Sequence, residues 1–182
     1  MTRTRRFHAA RLALILVAVA AGASVLAWSI GQGHTDAASA PGAASAPVAI
    51  TLAGRVTDAA HVLSPDEVAQ LDRALGDFER RTGHQMVVVT APGLGGADIA
   101  TFTRALGNAW GIGRKGVNDG VIVLVAPAER QARIAVGDGL RSALSDADCA
   151  TIMQQHMVPQ FRAGHYGAGV IAAVAAIRAK LA

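Results

Sequence analysis

Val68, Leu71, Leu75 and Phe78 recur at spacings of three and four behind the stretch Ser64-Pro65-Asp66-Glu67. That spacing lays one apolar stripe along a helix. Ser64 is placed to cap the first turn, Pro65 suits a position whose N–H has no partner, and Glu67 completes a capping box. Gly83 is placed to end the helix. The period then changes. Residues 85–91, QMVVVTA, are continuously apolar and β-branched and stop at Pro92-Gly93, which predicts a strand buried on both faces. Ile99, Phe102, Leu106 and Trp110 restore the helical spacing over residues 98–110. A second unbroken apolar run at residues 121–126, VIVLVA, a turn at Pro127-Ala128-Glu129-Arg130, and the alternation of QARIAV at 131–136 predict a buried strand hairpinned to an edge strand. Ser145 and Asp148 form another cap pair, and Val170, Val174, Ile177 and Leu181 make a last helical stripe. Residues 54–58, GRVTD, read as irregular. This order of elements predicts an α/β fold, a small three-layer α/β/α sandwich with a mixed central sheet.

The front of the chain has no such period. Residues 1–11 carry four arginines and no acid, and residues 12–30 carry no charge at all. Residues 1–31 therefore read as a signal peptide or a signal anchor: the apolar run is close to the ~20 residues a spanning helix needs, and Ala21-Gly22-Ala23 offers a small-x-small cleavage site. Residues 32–47, rich in Ala, Ser, Gly and Pro, read as a linker. The domain is expected over 48–182. Arginines at the N-terminus keep that end cytoplasmic, so both readings place the domain outside the cytoplasm, in the periplasm or at the cell surface, with residues 12–30 holding it to the inner membrane if uncleaved.

Charge, taken by region, removes one class of partner. The chain has a formal net charge of +4, but residues 41–182 hold 13 basic and 12 acidic side chains. The basic excess belongs to the N-terminal segment. With no basic stripe and no interleaved aromatics, no nucleic-acid partner is expected. The single cysteine, Cys149, cannot close an intrachain disulfide, and its neighbours Asp146 and Asp148 raise rather than lower a thiol pKa. It is expected to be a small buried apolar residue.

The loop at 111–116, GIGRKG, matches the spacing of the dinucleotide fingerprint. It follows a helix and leads into a strand, the reverse of the strand-to-helix turn that presents helix N-terminal amides to a pyrophosphate. No nucleotide is expected. Asn118-Asp119-Gly120 stands at the start of the second buried strand, and the hairpin strand ends at Gly137-Asp138-Gly139, so antiparallel pairing is expected to bring Asp138 close to Asp119. Asp58 is a candidate third acid. Carboxylates, an amide and glycine-freed carbonyls suit a hard cation, whereas Asn-Asp-Gly and Gly-Asp-Gly are also ordinary turn chemistry. Met153, His156 and Met157 have soft-metal ligand types but share one helical stripe with Ile152, which favours a half-buried core histidine. Arg80-Arg81 and Arg114-Lys115 read as solvated ends.

Gly54-x-Val56-x-Asp58, Val62-Leu63-Ser64-x-x-Glu67, Thr82-Gly83-x-Gln85, Trp110-Gly111-Ile112-Gly113, Asn118-Asp119-Gly120, Gly137-Asp138-Gly139 and Pro159-x-Phe161-x-x-Gly164-x-Tyr166-x-x-Gly169 occur in this order. The ordered set resembles the TPM domain family over residues 54–178. The resemblance implies a compact extracytoplasmic α/β/α domain and, carried over by position, a calcium-binding rim of Asp58, Asn118, Asp119 and Asp138 shaped by Gly120, Gly137 and Gly139. The function expected on that basis is a calcium-binding accessory module for a membrane protein complex. The alternative is a weak metal-assisted acid phosphatase using the same rim, in which a cation polarises phosphate and activates water. Against it, the chain lacks Cys-x5-Arg and Asp-x-Asp-x-Thr nucleophile motifs, and Ser145 is placed as a helix cap.

Overall fold

A computed structural model describes residues 49–182 of the chain; the expected signal segment and the linker lie outside the described residues. Four strands form one sheet in the order β1-β2-β3-β4, with β1 at Val56–Asp58, β2 at Gln85–Thr90, β3 at Gly120–Ala126 and β4 at Gln131–Val136. β1, β2 and β3 run parallel, and β4 returns antiparallel to β3. The sheet is mixed, as the sequence predicts. β1 was not expected. Only three residues long, it shows too little alternation to stand out, yet Val56 and Thr57 are buried and pair with Val88 and Val89.

The continuous apolar runs follow from burial on both faces. Met86, Val88, Val121, Val123 and Val125 point into one core, with Leu71, Leu75 and Phe78 of helix α1 (Pro65–Thr82) and Val170, Val174 and Ile177 of a C-terminal helix, Tyr166–Leu181. Val87, Val89, Ile122 and Leu124 point into the other, against Phe102 and Leu106 of helix α2 (Ile99–Trp110). Alternate residues of one strand thus serve two layers of helix. The caps form as the sequence dictates. Ser64 and Glu67 make the capping box of α1 and Gly83 closes it in the left-handed conformation. Asp98 caps α2, and Ser145 with Asp148 caps α3 (Asp146–Ile152).

The helix that starts at α3 does not stay regular. A π-turn at Met153–Met157 precedes α4 (Val158–Arg162), and the Val158 N–H reaches back to the Met153 carbonyl. Pro159 explains it. A proline has no N–H for the carbonyl four residues back and its ring clashes with that carbonyl, so the turn in front of it widens. Met157 is wholly buried as a result, while Met153 and His156 are half-buried. The C-terminal helix Tyr166–Leu181, α5, completes this layer. Among the described residues no helix is long and apolar enough to cross a membrane.

Candidate functional site

The motif residues of the sequence meet at the amino end of β3. Helix α2 ends at Gly111, in the left-handed conformation, whose N–H bonds back to the Asn108 and Gly107 carbonyls. The chain then folds over the start of β3. The Gly113 N–H donates to Gln85 Oε1 at 2.9 Å, and the Arg114 N–H donates to Asp119 Oδ1 at 2.8 Å. Asp119 Oδ2 accepts from Arg114 Nε at 2.8 Å and faces Arg114 Nη2 at 2.5 Å and His84 Nδ1 at 2.9 Å. The Asp119 side chain is 1% exposed, whereas that of Arg114 is 57% exposed. Burial alone pushes the Asp119 carboxyl up. The guanidinium and amide of Arg114, with His84, outweigh burial and hold it well below the usual carboxylate range.

Asp119 is therefore the internal anchor of the 111–119 loop. Its two oxygens already accept a backbone amide, a guanidinium and an imidazole. The carboxylate has little lone-pair capacity left for a cation.

The backbone at this crossing passes too closely for side chains. A Cβ on Gly120 would stand 2.7 Å from the Ile112 carbonyl oxygen. One on Gly137 would overlap the Asn118 carbonyl oxygen. Across the contact, Gly137 N–H donates to the Gly120 carbonyl at 2.8 Å and Gly139 N–H to the Asn118 carbonyl at 3.0 Å. Asn118 itself takes a positive φ of 53°. The glycines of Asn-Asp-Gly and Gly-Asp-Gly thus lock two loops together.

The four expected rim residues do not converge. Register places Asp138 across from Asp119, since Val121 pairs with Val136, but the side chains part. Asp119 turns inward to Arg114 and His84. Asp138 turns outward, 77% exposed, where it accepts from Arg141 Nε at 2.8 Å and from Asn118 Nδ2 at 3.3 Å. Asp58 lies at the other end of the sheet. It closes β1, paired with Thr90, which in turn pairs with Val125. Six residues of β3 separate that level from Asp119, about 20 Å at the rise of a strand. There Asp58 accepts from the Val62 and Leu63 amides at 3.2 and 3.1 Å and from the Thr90 hydroxyl. The expectation of one rim thus divides into a buried anchor, an exposed Asn118–Asp138–Arg141 cluster, and a distant turn. A calcium ion takes six to eight oxygens, and the four residues together do not fit one. Among the described residues no three His, Cys, Asp or Glu side chains cluster as a metal site.

Arg114 and His84 were missed. Arg114 was expected to be solvated, and His84 was given no role. A signal existed for His84: it directly precedes the first apolar run, and parallel pairing of Gln85 with Gly120 places it beside Asp119. Cys149 is buried, and burial first, then Asp146 and Asp148, pushes its thiol up to about 11.

A family model described as the TPM domain matches residues 56–180. The chain belongs to the TPM domain family. The N-terminal domain of a P. gingivalis protein is 31% identical, with 69% of this chain and 80% of that one covered and a TM-score of 0.65. Two further solution structures show the same fold. The N-terminal domain of the cg2496 protein from Corynebacterium glutamicum is 19% identical over 75% of this chain and 86% of its own, with a TM-score of 0.57. The BA42 protein from the psychrophilic Bizionia argentinensis is 18% identical over 65% and 81%, with a TM-score of 0.58. No curated protein matches the chain.

Proposed function

We propose that this TPM domain is an extracytoplasmic binding module that docks on a membrane protein complex and performs no hydrolysis of its own. The observation that carries the reading is the state of Asp119. Metal-assisted phosphate chemistry needs a carboxylate free to hold the cation, and this one is buried and occupied by Arg114 and His84. Asp138 is exposed but neutralised by Arg141, which also reaches Asp146 at 3.4 Å. Ser145 Oγ accepts from the Asp148 amide at 3.2 Å and donates to its carboxylate at 2.7 Å, which employs it as a cap and not as a nucleophile. A binding module needs only ordered loops, an accessible surface and a tether.

The test uses purified full-length protein and p-nitrophenyl phosphate, with calcium or magnesium present and absent. We expect no turnover above the buffer rate. Turnover that disappears in Asp138→Asn, with an unchanged melting temperature, overturns the reading in favour of a phosphatase. Asp138 is the informative position, because substitution of Asp119 disturbs the loop whatever its chemistry. Calorimetric titration with calcium, against a magnesium control, examines the cation separately. Saturable heat lost in Asp138→Asn would locate a calcium site at the exposed Asn118–Asp138 cluster, and we expect none.

A further inference from the structure

Strand β4 ends the sheet among the described residues, and its outer edge is unpaired. Because the Gly137 N–H bonds the Gly120 carbonyl, residues 131, 133 and 135 direct their backbone groups at β3. Ala132, Ile134 and Val136 direct theirs outward. Those three amides find no acceptor among the described residues. An open edge of this kind is a template for an added strand.

A groove flanks this edge on each face. On the α4–α5 side a groove of about 770 Å³ runs between the β3–β4 turn and the π-turn, lined by Ala132, Met153, Met157, Phe161 and Tyr166 with Arg130 and Arg162 also in its wall. π-turns are frequent at functional sites, and methionine and aromatic side chains make an adaptable apolar surface. On the α2 side a cleft of about 270 Å³ is lined by Arg104, Arg133 and Ala135, among others.

Charge decides what fits. Arg104, Arg130, Arg133 and Arg162 form no ion pair among the described residues, and Arg133 Nε is buried without a hydrogen-bond partner. Of the nearby acids, Asp138 and Asp146 share Arg141, Glu129 accepts from the Leu94 amide, and Asp98 caps α2 within the field of Arg104. Four guanidinium groups without an ion pair of their own stand around one open strand edge.

We infer that β4 accepts an extended segment of a partner protein in which apolar and acidic residues alternate. An added strand sends successive side chains to opposite faces. One set fills the Met153–Phe161 groove, and the other lies over Arg104 and Arg133, while Arg130 and Arg162 hold a flanking acid. This inference rests on the binding-module reading and names the chemistry of its partner.

The experiment is fluorescence anisotropy of full-length protein with a labelled eight-residue peptide of alternating leucine and glutamate. A leucine–lysine peptide and a leucine–glutamate peptide with proline at two alternate positions serve as controls. We expect saturable binding of the first peptide alone. Joint Arg130→Glu and Arg162→Glu substitution, both at exposed positions, is expected to weaken it by tenfold or more. Ala132→Pro, which removes one outward N–H and leaves the β3 bonds intact, is expected to weaken it about fivefold, the loss of one backbone hydrogen bond. Hydrogen exchange of 131–136 is expected to slow on binding. Equal binding of the proline-containing peptide, or no response to either variant, overturns the inference. So does self-association of the free protein that Ala132→Pro abolishes, since that edge then belongs to a second copy. An absence of peptide binding together with an absence of phosphatase turnover defeats this inference alone, whereas turnover lost in Asp138→Asn defeats the reading beneath it.

Discussion

The two ends of β4 border opposite kinds of surface. Where the strand finishes, Gly137 and Gly139 press on the Asn118 loop, and the carboxylates of Asp119 and Asp138 both have charged partners. Where it starts, a methionine-lined groove opens, and Arg130 and Arg162 in its wall form no ion pair among the described residues. The first end holds the Trp110-Gly111-Ile112-Gly113, Asn118-Asp119-Gly120 and Gly137-Asp138-Gly139 motifs, whose residues are spent on one another. The second holds Phe161, Gly164 and Tyr166 of the C-terminal motif, which line an open groove.

The strongest way to break this contrast is to open the locked end. Gly137→Ala drives a methyl group into the backbone carbonyl of Asn118, and neither chain can yield without breaking the Gly139–Asn118 bond. We expect a loss of about 3 kcal/mol or more in chemical denaturation, at the upper end of overpacking. Asp119→Ala comes next. It strips the Arg114 amide, the Arg114 guanidinium and His84 of their acceptor at once, and about 2 kcal/mol or more is expected from donors left unpaired. Loop residues 111–119 should then exchange amide hydrogens faster while α1 and α5 keep their protection.

Acid sharpens the same point. Asp119 and Asp148 both titrate below the unfolded carboxylate, Asp148 at about 2 because Lys180 and then Ser145 hold its charged form. Depressed folded-state values mean a contribution that is complete above the unfolded pKa of about 4 and is lost as pH falls through the folded ones. Melting temperature is therefore expected to hold from pH 7 to about 5 and to drop between about 4 and 2. Asp119→Asn and Lys180→Ala together should flatten that drop. The smallest effect belongs to the open end. Arg130→Glu and Arg162→Glu break no ion pair or side-chain hydrogen bond among the described residues, so stability is expected to change by no more than about 0.5 kcal/mol, even though peptide binding falls.

Much of the fold was legible from the residues. The capping boxes at Ser64 and Ser145, the two continuous apolar strands and the hairpin follow local rules that the sequence states within a few positions. β1 was hidden because three residues cannot display a period. The π-turn was hidden because its cause, Pro159, acts on carbonyls behind it and leaves the apolar spacing nearly unchanged. The site was harder to read than the fold. Register brought Asp119 and Asp138 opposite one another, as the hairpin requires, but register fixes Cα positions only. Which way each side chain turned depended on Arg114 and His84, and the second lies 35 positions before Asp119 in the chain. The grooves beside β4 join residues from the hairpin, the π-turn and α2, and no sequence window contains more than one part of any of them.

The hairpin has a consequence for the order of assembly. Of the three strand pairings, only β3 with β4 closes a short loop, whereas β1 with β2 and β2 with β3 must each bring together segments separated by a whole helix. Closing a short loop costs the least chain entropy, so this pairing is expected to lead and the parallel strands to follow. The edge offered to a partner then belongs to the earliest part of the sheet. During folding it stands exposed before either helical layer has closed over the core, and the arginines along it also repel the edges of other nascent copies.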